Sequence, residues 1–248
     1  MLGPDRRGER RPLSAFAMQG PAVEARFKPA LEVDAFRWPA VCERLLHGCR
    51  DRLQPALLSL LAADEAGRSL IGIASPARGA GCTTLVMCLA RLLVEAGKTV
   101  AIVDGNFAAP GLARGLGLAV QSGWEDVLSG RLPLAEGVVH SLADQITLLP
   151  LATGGAAAAE RLDSIHASVT AGVLRYHYDV VLFDLGAVED PAQGAAARRL
   201  VQQCRLDGIV LAASHDHALA VHPQRLMQAA PELASICLGV VENRLRAA

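Results

Sequence analysis

The run Leu70-Ile71-Gly72-Ile73-Ala74-Ser75-Pro76-Ala77-Arg78-Gly79-Ala80-Gly81-Cys82-Thr83-Thr84, followed by Leu85, Leu89, Leu92 and Leu93, decides the fold. Its first five residues form an apolar run of strand length. Its last leucines recur at helical spacing, and a glycine-bearing loop lies between. A strand, such a loop and a helix form an anion cradle, because successive backbone N–H groups and the helix N-terminus converge on one point and glycine lets the backbone approach it. In phosphate loops a lysine neutralises the β and γ phosphates, and the next residue, a serine or threonine, holds Mg²⁺. Here Gly79, Gly81 and Thr83 keep the glycines and the hydroxyl, while Cys82 stands at the lysine position. A short neutral thiol neither reaches nor offsets phosphate charge, and a thiolate would repel it.

Outward from this loop the pattern repeats. Strands are expected near residues 69–74, 99–103, 146–150, 179–184, 207–213 and 236–242, with helices near 82–97, 110–117, 122–129, 133–141, 156–176, 189–204 and 218–231. Alternation of this kind gives an α/β fold, a P-loop NTPase-like, doubly wound and mostly parallel sheet with helices on both faces. Two of the strands end in acids, Val100-Ala101-Ile102-Val103-Asp104 and Val180-Val181-Leu182-Phe183-Asp184. Acids at the carboxyl ends of parallel strands face the ligand crevice. Asp104 and Asp184 are therefore candidates for orienting an attacking group and, with Thr83, for holding Mg²⁺.

Composition bounds what remains. The 248 residues are 52% hydrophobic and 20% charged, enough for one sizeable core. The net charge of -1 supplies no field that would draw in nucleic acid. Only Lys28 and Lys98 are lysines among 24 basic residues, and neither lies near the loop in sequence. Cys42, Cys49, Cys82, Cys88, Cys204 and Cys237 form no CxxC pair and read as reduced thiols of a cytoplasmic protein. No apolar stretch reaches membrane-spanning length. Residues 1–35, with Arg6, Arg7, Arg10 and Arg11, read as a flexible arm, and residues 36–66 as a helical lead-in of two pieces interrupted at Pro55. Residues 67–248 then form the P-loop domain.

The ordered blocks SPARGAGCTT, VAIVDGNFAAPGLARGLGL, GWEDVLSG, YDVVLFDLGA, LDGIVLAA and GVVENR resemble the CpsD/CapB-type bacterial tyrosine kinases of exopolysaccharide and capsule systems, within the MinD/ParA group of deviant P-loop ATPases. The resemblance spans most of residues 65–244. It implies ATP and Mg²⁺ as cofactors, with Arg78, Gly79, Ala80, Gly81, Cys82, Thr83 and Thr84 around the phosphates. Asn243 and Arg244 match the family's Asn-Arg pair, whose Asn lies against the adenine. It also implies a homodimer and a membrane polysaccharide co-polymerase as partner, which would recruit the chain to the inner face of the membrane. Departures are concentrated in the crevice. Cys82 replaces the loop lysine, Ala77 falls where the group's signature lysine belongs, and Asn106 replaces a second acid. The family's terminal tyrosine cluster has no counterpart, the tyrosines being Tyr176 and Tyr178.

These departures point to a degenerate, pseudoenzyme-like member acting as a regulatory or scaffold component with weak or no ATP turnover. Two alternatives stay open: a working ATPase or tyrosine kinase in which Arg78 or a second subunit supplies the cation, and a ParA/MinD-like positioning factor using the arginine arm. His215, Asp216, His217 and His222 read as exposed loop residues rather than metal ligands, and Trp38 and Trp124 as packing anchors. Cys82 as a nucleophile lacks a base placed by the sequence.

Overall fold

The computed structural model describes residues 27–214 and 231–243. In chain order the strands are β1 (Leu31–Val33), β2 (Leu70–Ser75), β3 (Val100–Asp104), β4 (Val139–Ser141), β5 (Ile146–Leu149), β6 (Val180–Ala187), β7 (Gly208–Ser214) and β8 (Cys237–Asn243). The helices are α1 (Ala40–Gly48), α2 (Arg50–Glu65), α3 (Cys82–Glu95), α4 (Leu112–Gly115), α5 (Trp124–Leu128), α6 (Leu134–Gly137), α7 (Ala156–Glu160), α8 (Ile165–His177), α9 (Pro191–Cys204) and α10 (Pro231–Ser235). One sheet carries all eight strands in the order β1-β4-β5-β3-β6-β2-β7-β8. Every neighbouring pair is parallel except β4–β5.

Strand alternation sends side chains to two cores. Leu70, Ala74, Val181, Phe183 and Leu185 face the layer built by α5 and α7–α9. Ile71, Ile73, Val180 and Leu182 face α1–α3. The central strands β2, β3 and β6 are buried on both faces, which explains why they read as unbroken apolar runs. All six expected strands are present within a few residues of their expected limits.

Four expectations are corrected. The stretch read as a helix over 133–141 folds only Leu134–Gly137 as helix, and Val139–Ser141 becomes β4. Three residues are too short for either periodicity to register; the tie to β5 and a turn closed by Gln145 N to Ser141 O (2.9 Å) decide the matter. The break in the lead-in falls at Cys49, not Pro55, which sits inside α2. At the sixth helical residue, proline removes one ladder bond near the helix start and the helix continues. The 156–176 helix is divided by a 3-10 turn at Arg161–Asp163, after which Ser164 starts α8. Within the stretch read as an arm, Leu31–Val33 pairs with β4 as β1; residues 1–26 lie outside the described residues. The 218–231 helix also falls outside them, apart from Pro231.

The lead-in packs on the domain. Asp144 accepts from Phe36 N (2.8 Å), Trp38 Nε1 (2.7 Å) and Ser141 Oγ (2.5 Å), so one carboxylate clasps the chain entering α1. The Arg91 guanidinium lies 5.0 Å above the Trp38 ring and pairs with Glu43. Trp38 is thus a packing anchor, and so is the fully buried Trp124, in contact with Phe107 and Phe183. No helix among the described residues is long and apolar enough to cross a membrane.

Candidate functional site

The carboxyl ends of β2, β3 and β6 meet where the sequence placed the loop and the two acids. Gly79 (φ 83°) and Gly81 (φ 93°) turn the chain, and Gly81 is the residue before α3. A side chain at Gly81 would be strained by its φ, and its Cβ would lie 2.8 Å from Asn243 Nδ2. Asn243 donates from that nitrogen to Ala80 O at 3.1 Å and so buttresses the loop from β8. The first-turn N–H groups of α3, which begins at Cys82, have no intrahelical acceptor. A glycine-bearing loop leading into the N-terminus of a fourteen-residue helix is the arrangement that binds anions.

Cys82 turns away from that concavity. Its Sγ lies 3.0 Å from Ile73 O and 3.1 Å from Asp184 Oδ1, its single proton serving one or the other, and the residue is buried. Burial first, then the negative charge of Asp184 and the hydrogen bond to it, push the thiol well above its ordinary pKa. It is therefore a neutral, inward-facing SH. The nucleophile reading is removed with it, since a reactive cysteine needs an accessible thiolate.

Thr83 donates to Asp184 Oδ2 at 2.6 Å. Asp184 also accepts from Gly186 N at 3.0 Å, across a bulge where Leu185 is the extra residue between Asp184 and Gly186. That bulge requires Gly186, at φ 61°, because a Cβ there would lie 2.5 Å from Asn106 Cγ. Burial raises the Asp184 carboxyl above its ordinary range, against the opposing effect of its three donors. Asp104 is its direct neighbour in register on β3. It accepts from Asn106 N (3.2 Å), Gly111 N (3.0 Å) and Leu112 N (3.0 Å), yet burial and then the Asp184 charge push it up to about 7.

Thr83 and Asp184 offer hard oxygen donors at the base of the loop and fit Mg²⁺, which would neutralise phosphate oxygens there. Asp104 is occupied by three backbone N–H groups and shapes the loop that follows β3. Asn106 helps that turn, its Oδ1 accepting from Ala109 N at 3.2 Å.

The loop holds one cation, Arg78, and its Nη2 pairs with Asp190 Oδ2 at 3.0 Å. Asp190 also caps α9 by accepting from Ala192 N and Gln193 N, and these bonds with Arg78 hold its carboxyl below the usual range. Lys98 pairs with Asp64 on the other side of the domain's helical lead-in and takes no part. Thr84 faces a cavity of about 780 Å³ that also reaches Gly79, Ala80, Gly81 and Asn243. Arg244, His215, Asp216, His217 and His222 lie outside the described residues, among which no cluster of three metal-ligating side chains occurs.

Gln193 was not singled out by its sequence context. Buried on α9, it donates from Nε2 to Gly105 O (2.9 Å) and Leu185 O (2.6 Å), and accepts from Ala108 N at 3.0 Å. One amide thus braces the backbone just past both acids. One of three glutamines in an Ala-rich helix, it carries no pattern that would reveal this. The adjoining Asp190-Pro191 does read as a helix start.

No family model and no curated protein matches the sequence. Among solved structures, the chimerical protein CapA2B2 aligns with a TM-score of 0.70 at 17% identity, covering 88% of this chain and 96% of that one. The VpsO kinase domain aligns at 0.63 and 21% identity, covering 79% and 98%. MinD from Pyrococcus horikoshii OT3, complexed with Mg-ADP, aligns at 0.56 and 23%, covering 69% and 68%. The chain has the P-loop α/β fold that these proteins share.

Proposed function

We propose that this protein is a turnover-deficient relative of the exopolysaccharide-associated tyrosine kinase domains, acting as a regulatory or scaffold component. The observation that carries the reading is the direction of Cys82: a neutral thiol fastened to Ile73 O and Asp184 where a phosphate-binding ammonium would project into the loop. The cation left in the loop, Arg78, is engaged by Asp190. Phosphoryl transfer depends on neutralising charge that builds on the transferred group, so a loop without this ammonium retains a place for phosphate but loses much of the stabilisation.

Kinship to the kinase domains rests on the shared fold together with the ordered sequence blocks around residues 75–84, 100–118 and 178–187. In this reading the chain works at the inner face of the membrane beside a polysaccharide co-polymerase, and it pairs with a second copy of itself. Thr83 and Asp184 would hold Mg²⁺ and the loop amides would hold phosphate. Their retention favours a second reading, a slow ATPase or kinase in which Arg78 leaves Asp190 to bind phosphate.

Calorimetric titration of the intact protein with Mg·ATP, paired with a phosphate-release assay, separates the two. The regulatory reading expects weak binding and no release. It also expects Cys82→Lys to tighten Mg·ATP at least about tenfold, the effect of about 1.4 kcal/mol and the scale of one charge-assisted hydrogen bond. ATP hydrolysis by the unaltered protein that disappears in Asp184→Asn would refute it.

A further inference from the structure

The cavity beside the loop shows what kind of ligand the loop has come to suit. Its volume, about 780 Å³, lies within the range of small-molecule sites. Gly79, Ala80 and Gly81 form one end. From there it runs between α2 and β8, past Leu45, Leu53, Ala56, Leu238 and Val240. Among the described residues, the charged side chains on its lining are Arg52 and Glu242, one of each sign. Such walls suit a flat or apolar body, and their described residues offer no excess positive charge to a polyanion.

The anionic end is equally limited. Backbone N–H groups and the α3 dipole can hold one phosphate group. Beyond it, each further phosphate meets no lysine, an Arg78 already paired with Asp190, and the buried carboxyl of Asp184 behind Thr83. Charge on the ligand is thus rewarded once and then opposed, while apolar surface is rewarded along the length of the cavity.

We propose that the loop and cavity together form a site for a phosphate monoester of low charge carrying an aromatic or apolar body, in preference to a nucleoside triphosphate. This deepens the regulatory reading and rests on it: a component that senses such a ligand needs no turnover. The chemistry is shared by a nucleoside monophosphate and an alkyl phosphate, and the experiment distinguishes these sources.

The test is calorimetric titration of the full chain with AMP, octyl phosphate, inorganic phosphate and Mg·ATP. The expected result is that AMP or octyl phosphate binds at least tenfold tighter than both inorganic phosphate and Mg·ATP, the tighter of the two naming the body. Ala56→Trp, which fills the cavity from a half-buried position on α2, should remove that tenfold advantage and leave inorganic phosphate unchanged. Where Ala56→Trp fails to fold by circular dichroism, Val240→Gln, which puts a neutral polar chain on the exposed wall of β8, replaces it with the same expectation. Cys82→Lys should swing the preference toward Mg·ATP. The proposal is overturned if Mg·ATP binds tightest to the unaltered protein. It is equally overturned if neither bodied ligand exceeds inorganic phosphate, or if a folded cavity variant leaves all affinities unchanged. Mg·ATP binding that is weak yet still the tightest of the four, without phosphate release, would sink this inference alone, whereas hydrolysis would sink the regulatory reading beneath it.

Discussion

Replacing Gln193 by leucine keeps the volume of the side chain and removes the brace between the two acidic loops. In the native protein its amide satisfies Gly105 O at 2.9 Å, Leu185 O at 2.6 Å and Ala108 N at 3.0 Å. Gly105 and Leu185 are buried and Ala108 is exposed, so two carbonyls lose their partner without access to water while the amide is rehydrated. A buried polar group left unsatisfied costs about 1–3 kcal/mol, which places Gln193→Leu about 2–6 kcal/mol below the unaltered protein. That is a large part of the roughly 5–15 kcal/mol available to a domain. Urea unfolding followed by far-ultraviolet circular dichroism measures it as a lower midpoint at unchanged slope. Hydrogen exchange should rise first at Ala108, Gly111 and Leu112, whose amides depend on Gln193 or on Asp104. Gln193→Glu, which keeps the acceptor but loses both donors, should be destabilised to a similar degree. A loss below about 1 kcal/mol for Gln193→Leu would show that the loops hold themselves, and the bracing argument would fail.

Other outcomes follow from the same crevice. Asp104 titrates near 7 in the folded protein against 3.8 ordinarily, so between those values the native state keeps a proton that the unfolded chain releases. Its contribution therefore lowers stability as pH rises through that window, by at most about 4 kcal/mol, and unfolding curves for Asp104→Asn across that window should show a flatter slope. Gly81→Ala forces a side chain into φ 93° against Asn243 and should cost about 1 kcal/mol or more in thermal unfolding while weakening phosphate binding. Alkylation of the native protein followed by mass spectrometry should label exposed Cys237 at least about a hundredfold faster than Cys82, because Cys82 reacts only after local opening. Asp144→Ala removes the acceptor for Phe36 N and Trp38 Nε1 and should cost about 2 kcal/mol or more by urea unfolding, with Trp38 fluorescence shifting to the red.

The sheet was legible from Leu70 onward because its central strands are buried on both faces and carry uninterrupted apolar runs with acids at their ends. β1 and β4 were not, since three residues hold too little pattern and their pairing depends on partners distant in sequence. Pro55 was read as a break because local propensity says so, whereas a helix packed on α3 through Leu53, Leu57 and Leu60 tolerates a missing bond near its start. In the site, the spacing of Gly79, Gly81 and Thr83 placed the turn and the start of α3, and Asp184 at the end of its strand stands beside Thr83. The inward turn of Cys82, the bond from Asn243 to Ala80 and the bracing by Gln193 were invisible. Each depends on where side chains from separate elements meet, which one sequence does not encode at any fixed spacing.

The shared burial of Asp104 and Asp184 has a calorimetric consequence. Near neutral pH these neighbouring carboxyls hold a proton that a divalent cation entering between Thr83 and Asp184 would displace. Heat measured for Mg²⁺ uptake would then contain the ionisation enthalpy of whatever buffer takes up that proton. Titrations in PIPES and in Tris should differ by that amount, so the crevice announces metal entry through its solvent even where no chemistry follows.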